Sequence, residues 1–593
     1  MARILLRRRS NGPLIGELRD RFTFRVQDPA RLATPDLFVV QLSGGRLMWR
    51  AAPRTRFVAG ASRTFNLPVV IENLDGSEAA FEARYSGPSM SSTSGRVVVA
   101  AHSATPVFVR AVEPQAGPAQ GKLSIQQGEA ETSADVWFDV RPLVPLRVRL
   151  LDERGRPCVA RIYLTGSDGL AYAPHGSASR IAAMSAEHFF HAEGSFEIEM
   201  PAGETLVEAT RGPEYRLVSS RVSLVPGKPA GITLRLERWT DQKRQGFWSA
   251  DVHVHANYTA PHHQSIEPRD VRLLVWGEDL NYANMMVANS GGEFLHDWQY
   301  FEGRPHRMSA PPYFVRWNEE FRGSTYGHMC FLGLKKLVEP FFTGFRNTRW
   351  WEDYPANFPL AQQVYDQGGA VSYAHPGMAP VFDSASIKEL PVDLALGHQT
   401  AIDVLSNSDE EAATAMWYRL LNCGFRVPIS AGTDSFTNVV DHYVAGGGRV
   451  YVQAGLRFDY AAWLEAYRRG RSFASNGPTV WLTVNGSAPG DEVSLTGPGK
   501  VTVEARAASQ VPVERVELIV NGRAVHQEEM GNQESIRFRK ELQMDRSSWV
   551  ALRAIGPRHR LVLNDTAAFA HTSPIYVRIG GRPVRVVEDL RFY

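Results

Sequence analysis

The spacing of apolar residues changes twice along this chain, and that change constrains the fold more than any other feature of the sequence. From about residue 20 to 238, short runs such as 95–100 and 146–151 alternate apolar and polar residues, and Gly, Pro and Asp separate them. Beyond the Asn-Gly-Pro at 476–478 the same period of two returns. Such runs are typical of strands that bury one face, so both ends of the chain are predicted to be β-sandwich material.

Between these ends, from about 247 to 476, strand-like runs alternate with helical segments. The helices are predicted at 358–368, 410–424 and 460–470, and each finishes at a glycine, as C-capping requires. Strand and helix alternation over some 230 residues predicts a parallel sheet closed into a distorted β/α barrel, with chemistry at the carboxyl ends of its strands.

A chain of 593 residues is expected to hold three to five domains. The fold class predicted is therefore multidomain, α/β plus all-β. The four predicted units are an N-terminal β-sandwich at 1–142, a second β-sandwich at 143–238, the barrel at 239–476 and a C-terminal β-sandwich at 477–593.

Charge and cysteine content exclude several classes of partner. Lys and Arg total 65 against 63 Asp and Glu, so a net charge of +2 disfavours nucleic acid. No apolar run approaches the ~18 residues of a membrane span, and the apolar stretch near the N-terminus is too short for a signal peptide. Three widely spaced cysteines fit neither a disulfide framework nor a zinc ribbon, so a cytoplasmic location is expected.

His253 and His255 lie two positions apart in a strand-like run. Side chains at i and i+2 of a strand leave the same face, so the two imidazoles could share one ion. Taken alone, a His-x-His pair in a strand is more often structural.

Other metal-type side chains follow other apolar runs of the same region. His375 and Asp434 come at the ends of two such runs, while Glu320 and His328 flank a short polar turn. Each has an ordinary explanation: a histidine that bonds a carbonyl, an aspartate that caps a helix, a solvated charge. Four strands that deliver such side chains to one rim are not expected by chance, so together they indicate a metal site.

The motifs around these residues carry a resemblance to a known family. They are Ala-Asp-Val-His-Val-His at 250–255, Glu-Asp-Leu-Asn-Tyr-Ala-Asn at 278–284, Trp-Asn-Glu-Glu-Phe-Arg at 317–322, Gly-His at 327–328, Tyr-Ala-His-Pro at 373–376, and the segments 417–426, 431–436 and 470–478. Over roughly 245–490 the chain resembles the CehA/McbA metallohydrolases, within the polymerase-and-histidinol-phosphatase (PHP) type of metal domain, which implies a PHP-type barrel.

The resemblance implies how the ligands would be shared. His253, His255, Glu320 and Asp434 would hold one ion, and Glu320 would bridge to a second ion held by His328 and His375. The chain departs from the wider PHP pattern at two places. It has Asn289-Ser290 where many relatives have Asp-His, and Asp434-Ser-Phe436 where they have Asp-x-His, which argues against a third metal site.

The activity that the resemblance implies is hydrolysis of a carbamate, ester or amide bond in a small-molecule substrate, by attack of metal-bound hydroxide on the carbonyl. One or two divalent ions are expected, and imidazole and carboxylate ligands do not choose among zinc, manganese and iron. Two alternatives stay open: a PHP-type phosphoesterase, and a catalytically inactive barrel beside ligand-binding β-sandwiches.

Three loop histidines are candidates for proton transfer. His262 and His263 follow the first strand of the region, and His442 follows Asp434. They could move protons or orient a leaving group, or they could be solvent-exposed side chains without a role. The sequence leaves the oligomeric state open.

Overall fold

The computed structural model of the protein describes residues 38–52, 56–113, 115–174, 177–258, 265–290, 292–376, 389–439, 441–531, 533–565 and 567–592. Strands dominate the described residues, and the helices between them are short. In these parts of the chain, every helix is too short or too polar to cross a lipid bilayer.

The N-terminal region forms two sheets that share one core. Its strands are β1 (Phe38–Ser43), β2 (Arg46–Ala51), β3 (Arg56–Gly60), β4 (Thr64–Asn73), β5 (Ala79–Ser86), β6 (Ser91–Val99), β7 (Ser103–Val112), β8 (Gly117–Gln127) and β9 (Ala130–Arg141). The sheet orders are β2-β1-β4-β7 and β3-β9-β8-β5-β6. Alternate residues of β5, β8 and β9 are buried, as the period of two predicts.

The next region is also built from strands. They are β10 (Leu143–Leu151), β11 (Val159–Thr165), β12 (Arg180–Ala182), β13 (His188–Glu193), β14 (Ser195–Pro201), β15 (Gly203–Thr210), β16 (Val218–Leu224) and β17 (Ala230–Arg235). One sheet has the order β14-β10-β17, and a second contains β16-β15-β11-β13-β12. A single apolar core joins the two sheets.

The central region carries the candidate site. Its strands are β18 (Phe247–His255), β19 (Tyr282–Asn289), β20 (Leu295–His296), β21 (Phe314–Gly323), β22 (Gly327–Leu332), β23 (Phe342–Thr343), β24 (Ala370–Tyr373), β25 (Ala401–Leu405), β26 (Ile429–Ala431), β27 (Ser435–Phe436), β28 (Asp441–His442), β29 (Arg449–Gln453) and β30 (Ser472–Ser475). Its helices are α1 (Pro268–Gly277), α2 (Asn357–Asp366), α3 (Leu390–Ala395), α4 (Glu410–Asn422) and α5 (Tyr460–Arg468).

The three helices predicted in this region are confirmed as α2, α4 and α5. Asp409 and Asp459 cap the starts of α4 and α5 by accepting hydrogen bonds from backbone N–H groups. Glycines follow all three ends, and Gly424 has a φ of 93°, a conformation that costs glycine little.

The predicted β/α barrel is wrong. The protein is mostly β, and the central strands form a partly curled mixed sheet rather than a ring of parallel strands alternating with helices. Strand β22 follows β21 by a tight turn and pairs antiparallel with both β21 and β24. The local strand and helix periodicities were recognised, but they do not specify the direction in which a strand pairs.

The same sheet continues into the C-terminal region through the pairing of β30 with β38. The strands there are β31 (Thr479–Val484), β32 (Glu492–Leu495), β33 (Gly499–Ala508), β34 (Arg515–Val520), β35 (Arg523–Glu529), β36 (Ser535–Met544), β37 (Ser548–Gly556), β38 (Ala568–Thr572) and β39 (Ile575–Ile579), followed by helix α6 (Val587–Leu590). A smaller sheet of order β31-β33-β36 packs on this extension over a common core.

Buried charges join the second β region to the central region. Glu278, at the end of α1, pairs with Arg161 of β11 and with His191 of β13, each at 2.7 Å. Strand β28 also leaves the central region to pair with β12. Two of the predicted domain boundaries are therefore crossed by strand pairs, β12–β28 and β30–β38, and the positions of those boundaries stay predictions.

Candidate metal centre

The first group of predicted ligands meets at the end of β18. His253 and His255 leave one face of this fully buried strand, and their Nε2 atoms lie 3.0 Å apart. The Oδ1 atom of Asp434 lies 3.2 Å from Nε2 of His253 and 3.1 Å from Nε2 of His255. Glu320 approaches from β21, with its two carboxylate oxygens 3.5 Å and 3.4 Å from the same two nitrogens.

The second group shares Glu320 with the first. Nδ1 of His328 lies 3.0 Å from Oε1 of Glu320, and Nε2 of His375 lies 3.8 Å from the same oxygen. The two ring nitrogens are 3.2 Å apart. His375 Nε2 is also 3.9 Å from Oδ2 of Asp434. All six side chains predicted as ligands therefore form one cluster, with Glu320 at its centre.

Strand register explains part of this convergence. In the β21–β22 pair, Glu320 lies opposite Cys330 and Arg322 lies opposite His328. Directly opposed residues of an antiparallel pair share a sheet face, so β22 delivers His328 to the face that carries Glu320. The tight turn after Gly323 thus places His328 on an antiparallel strand beside Glu320, where the predicted barrel would have had a parallel strand.

Two of the ligands lie at positions of unusual backbone conformation. His375, two residues beyond β24, has a φ of 32°, and Asp434, directly before β27, has a φ of 50°. Left-handed conformations are uncommon for residues other than glycine, and they concentrate at functional sites. The turn before Asp434 is held by Asp251 of β18, which accepts hydrogen bonds from the backbone N–H and the hydroxyl of Thr433 at 3.0 Å and 2.6 Å.

The electrostatics hold four of the six side chains of the cluster in the forms that bind cations. His253 differs: burial lowers its pKa, but Cys330 and the two carboxylates raise it well above its usual range, a shift that a bound cation would oppose. Burial would raise the pKa of Glu320, but the surrounding histidines hold it well below its usual range. Burial would also raise the pKa of Asp434, but the neighbouring histidines lower it below its usual range. Burial lowers the pKa of His255, and it lowers that of His328 to about 4. At neutral pH both carboxylates are therefore ionised, and these two imidazoles are neutral.

The donor set fits a divalent ion. Within each histidine pair, two ring nitrogens face each other at 3.0 Å or 3.2 Å while also facing carboxylate oxygens. One shared proton can join only two of these atoms, whereas a cation accepts lone pairs from all of them. Imidazoles and carboxylates suit zinc, manganese or iron. The residues present therefore fit one or two such ions.

A row of small polar side chains lies on the strands beside the ligands. Strand register aligns Cys330, Ser372 and Ala401 across β22, β24 and β25, and aligns Asp403 with Ser430 of β26. The Ser372 hydroxyl donates to Asp403 Oδ1. The fully buried Asp403 offers a ligand-type atom within 4.8 Å of atoms of His253 and Cys330.

One atom of this row and one atom of a neighbouring ligand lack a hydrogen-bond partner among the described residues. They are Nδ1 of His253 and Oδ2 of Asp403, and both are buried. Metal-ligating histidines usually donate their other ring N–H to a carboxylate or carbonyl, which fixes the orientation of the ring. Asp403, with a carboxylate oxygen within 4.8 Å of a ring nitrogen of His253, is the candidate for this role among the residues of the row.

Exposure differs among the side chains of the cluster in the described structure. The His253, His255 and Glu320 side chains are at most 2% exposed, His375 and Asp434 are each 9% exposed, and His328 is 21% exposed. Among the described residues, the side of the cluster at His328 is therefore the most accessible.

Aromatic rings pack against His255. Tyr258 packs on His255 with ring centroids 4.4 Å apart, and Phe436 packs on Tyr258 at 4.3 Å. Phe436 occupies the position where the wider PHP pattern has a histidine, and it contacts His255 with its ring rather than with a ligand atom. Asn289, at the other departure from that pattern, donates its side-chain N–H to the Gly292 carbonyl.

The predicted proton-transfer residues fall in different places. His262 and His263 lie outside the described residues. His442 stacks on the outer face of Phe436 at 4.1 Å, and its Nδ1 accepts a hydrogen bond from the Phe436 backbone N–H. The ring of Phe436 therefore lies between His442 and His255. The role predicted for His442 stays a prediction.

Sequence reasoning missed three residues that the structure brings to the cluster. Arg322 lies 4.0 Å from Glu320, Asn407 donates to Asp434 Oδ2 at 2.7 Å, and Asp403 lies beside His253. The position of Arg322, two residues after Glu320 in a strand, was a usable signal because i and i+2 share a face. Asn407 and Asp403 carry no comparable local signal.

Comparison with known proteins adds little. No family model matches the chain, and no curated protein matches it. Among solved structures, the major pilin BcpA of Bacillus cereus is similar at 9% identity and a TM-score of 0.14, over 31% of this chain and 67% of that chain.

Domains D2 and D3 of the major pilin SpaD from Corynebacterium diphtheriae match at 7% identity and a TM-score of 0.14, over 30% of this chain and 95% of theirs. The Bacillus anthracis TIE protein matches at 8% identity and a TM-score of 0.13, over 88% of this chain and 75% of that chain. At such TM-scores these likenesses support no argument about fold or activity. The fold and site by themselves describe a mostly β protein with a buried cluster of metal-type ligands.

Proposed function

We propose that the protein is a metal-dependent hydrolase that cleaves a carbamate, ester or amide bond of a small-molecule substrate. The observation that carries the proposal is the convergence of four imidazoles and two carboxylates from β18, β21, β22 and the segments after β24 and β26. The proposal keeps the activity that the resemblance to the CehA/McbA metallohydrolases implies, without the barrel.

A divalent ion in such a site lowers the pKa of a coordinated water and polarises a carbonyl oxygen. The chain's own residues would hold and shield it. Glu320, His253, His255 and Asp434 would hold one ion, and Glu320 would be shared with a second ion held by His328 and His375. Tyr258 and Phe436 pack on the ring of His255 and would limit the access of water to it.

A carbonyl substrate is favoured over a phosphate ester by the surroundings of the cluster. Phosphate chemistry at PHP-type sites commonly uses a third ion, and Phe436 places a hydrocarbon ring where a further ligand would be needed. The phosphoesterase alternative is nevertheless tested directly by including a phosphate ester in the assay.

The test is metal content by elemental analysis of the purified protein and of the Glu320→Gln and His375→Ala variants, combined with assays of p-nitrophenyl acetate and p-nitrophenyl phosphate. His526→Ala is a matched control, because His526 lies in the C-terminal sheet and pairs with Glu528. We expect one or two ions per chain, a lower content in the first two variants only, and acetate-ester cleavage that chelation abolishes.

Three results would contradict the proposal. The absence of bound metal after reconstitution would show that the cluster is not a metal site. Full ester hydrolysis after chelation would show that the metal has no role in the reaction. Cleavage of the phosphate ester alone would replace the proposed reaction with the phosphoesterase.

A further inference from the structure

The most accessible side of the cluster carries a positive charge that the proposed reaction does not use. Arg322 follows Glu320 by two positions on β21, and its side chain is 15% exposed. Its Nε lies 4.0 Å from Glu320 Oε2, and its Nη1 donates to the Asn289 carbonyl at 2.8 Å. The guanidinium also lies over the rings of Phe345 and Tyr258, at 5.0 Å and 5.7 Å from their centroids.

These contacts orient the guanidinium without using all of its donors. Guanidinium has five N–H groups, and among the described residues only the bond to Asn289 is made within hydrogen-bond distance; Nε is buried without a partner. Because Nη1 is engaged by the Asn289 carbonyl, Nε and Nη2 remain as the pair of parallel donors from which a carboxylate can accept two hydrogen bonds.

The placement is unfavourable for metal binding alone. A permanent positive charge beside a cation site opposes the ions electrostatically, and Glu320 is already shared by four histidines. A guanidinium that held Glu320 only structurally would compete with those histidines for the same carboxylate. The conflict is relieved when an anionic group lies between the guanidinium and the ions.

We infer that Arg322 is an anion-recognition residue, and that the preferred substrates carry a carboxylate a short distance from the scissile carbonyl. This inference rests on the proposed hydrolase function. The guanidinium lies beside His328 on the solvent-accessible side, so a carboxylate bound there holds the neighbouring carbonyl group against the cluster. A monoester or monoamide of a short dicarboxylic acid has this chemistry.

The activity test compares two esters of equal length: mono-4-nitrophenyl succinate, which is anionic, and its neutral methyl ester, methyl 4-nitrophenyl succinate. The wild-type protein is compared with Arg322→Gln and Arg322→Lys, and Arg307→Gln serves as a control because Arg307 is exposed and pairs with Glu302. We expect the wild type to prefer the anionic ester about tenfold or more in kcat/KM, as a charge-assisted pair predicts.

In Arg322→Gln this preference should fall towards one, mainly through a higher KM for the anionic ester, and Arg322→Lys should retain part of it. A second readout does not depend on turnover. Calorimetric titration of the metal-loaded protein with succinate should show binding that Arg322→Gln weakens about tenfold and Arg307→Gln leaves unchanged.

The outcomes separate this inference from the proposed function. If the wild type cleaves both esters equally and succinate binding is the same in Arg322→Gln, the inference is overturned while the hydrolase stands. If Arg322→Gln slows both esters in equal proportion, Arg322 acts on the reaction or the fold rather than on the anion. Succinate binding that survives in Arg322→Gln but is lost on chelation assigns the anion to the metal and also overturns it.

If the metal-loaded wild type cleaves neither ester, the carbonyl hydrolase fails. Succinate titration then still decides whether Arg322 binds a carboxylate.

Discussion

Replacing Asp403 with asparagine is expected to weaken metal binding although Asp403 is not one of the six ligands. The side chain is fully buried on β25, its Oδ1 accepts from Ser372, and its Oδ2 has no partner among the described residues. Burial raises its pKa to about 6, so at pH 7 it is mainly a carboxylate. One of its carboxylate oxygens lies within 4.8 Å of a ring nitrogen of His253, and Nδ1 of His253 also lacks a hydrogen-bond partner among the described residues.

The magnitude follows from that geometry. Replacing a residue of the outer shell that supports a ligating histidine commonly costs 10–100-fold in metal affinity, which is about 1.4–2.7 kcal/mol. Asparagine keeps the size of the side chain and can still accept from Ser372, so the change removes mainly the negative charge. We therefore expect the dissociation constant of the ion to rise by about 10–100-fold in Asp403→Asn, while the ligand set stays complete.

The measurement is competition for the metal with a chromophoric chelator at pH 7.5, on folded protein verified by circular dichroism. Asp393→Asn is the matched control: Asp393 is equally buried and accepts from the Tyr373 hydroxyl at 2.9 Å, but in the described chain it bonds to none of the six ligands. An affinity in Asp403→Asn within twofold of the wild type, or an equal loss in both variants, would refute the positioning role.

Three further predictions concern packing, buried charge and pH. In Gly432→Ala the new Cβ would lie 2.6 Å from Cβ of His253. We therefore expect a loss of about 1–3 kcal/mol of stability in a denaturant titration and weaker metal binding in a competition assay. Wild-type values in both measurements would contradict this. Glu278→Gln leaves Arg161 without its buried partner and should cost about 3–5 kcal/mol in denaturant unfolding, and a midpoint equal to that of the wild type would refute it. Burial lowers the pKa of His571 to about 3, so between pH 6.5 and 3 the unfolded chain binds more protons than the folded chain. As the pH falls through this range, the free energy of unfolding should therefore decrease by about 1.4 kcal/mol per pH unit from this residue. His571→Gln should flatten this dependence of stability on pH, and an identical dependence in the variant would disprove the assignment.

Local features of this protein were predictable because short windows of sequence encode them. Helices α2, α4 and α5 were predicted within a few residues, since apolar periodicity and a glycine after the last turn are properties of some ten neighbouring residues. The shared face of His253 and His255 is a consequence of strand geometry alone. The alternating burial of the flanking strands follows from the same rule.

The barrel was predicted wrongly because sheet closure is not a local property. The turn after Gly323 sends β22 back along β21, and β22 then pairs antiparallel with β24. A parallel strand reached through a helix would have left a similar apolar pattern in the sequence. Only the pairing of distant strands distinguishes the two arrangements.

The sequence by itself determined which residue types were available for chemistry and which of them share a strand face, since both are decided within a few peptide units. Tertiary structure alone decided that Glu320 lies within 4 Å of histidines from three other segments, and that Arg322 and Asp403 flank them. The physical reason is that these contacts join residues tens to more than a hundred positions apart. Strand register and burial fix such distances, and neither is written in the local period of the chain.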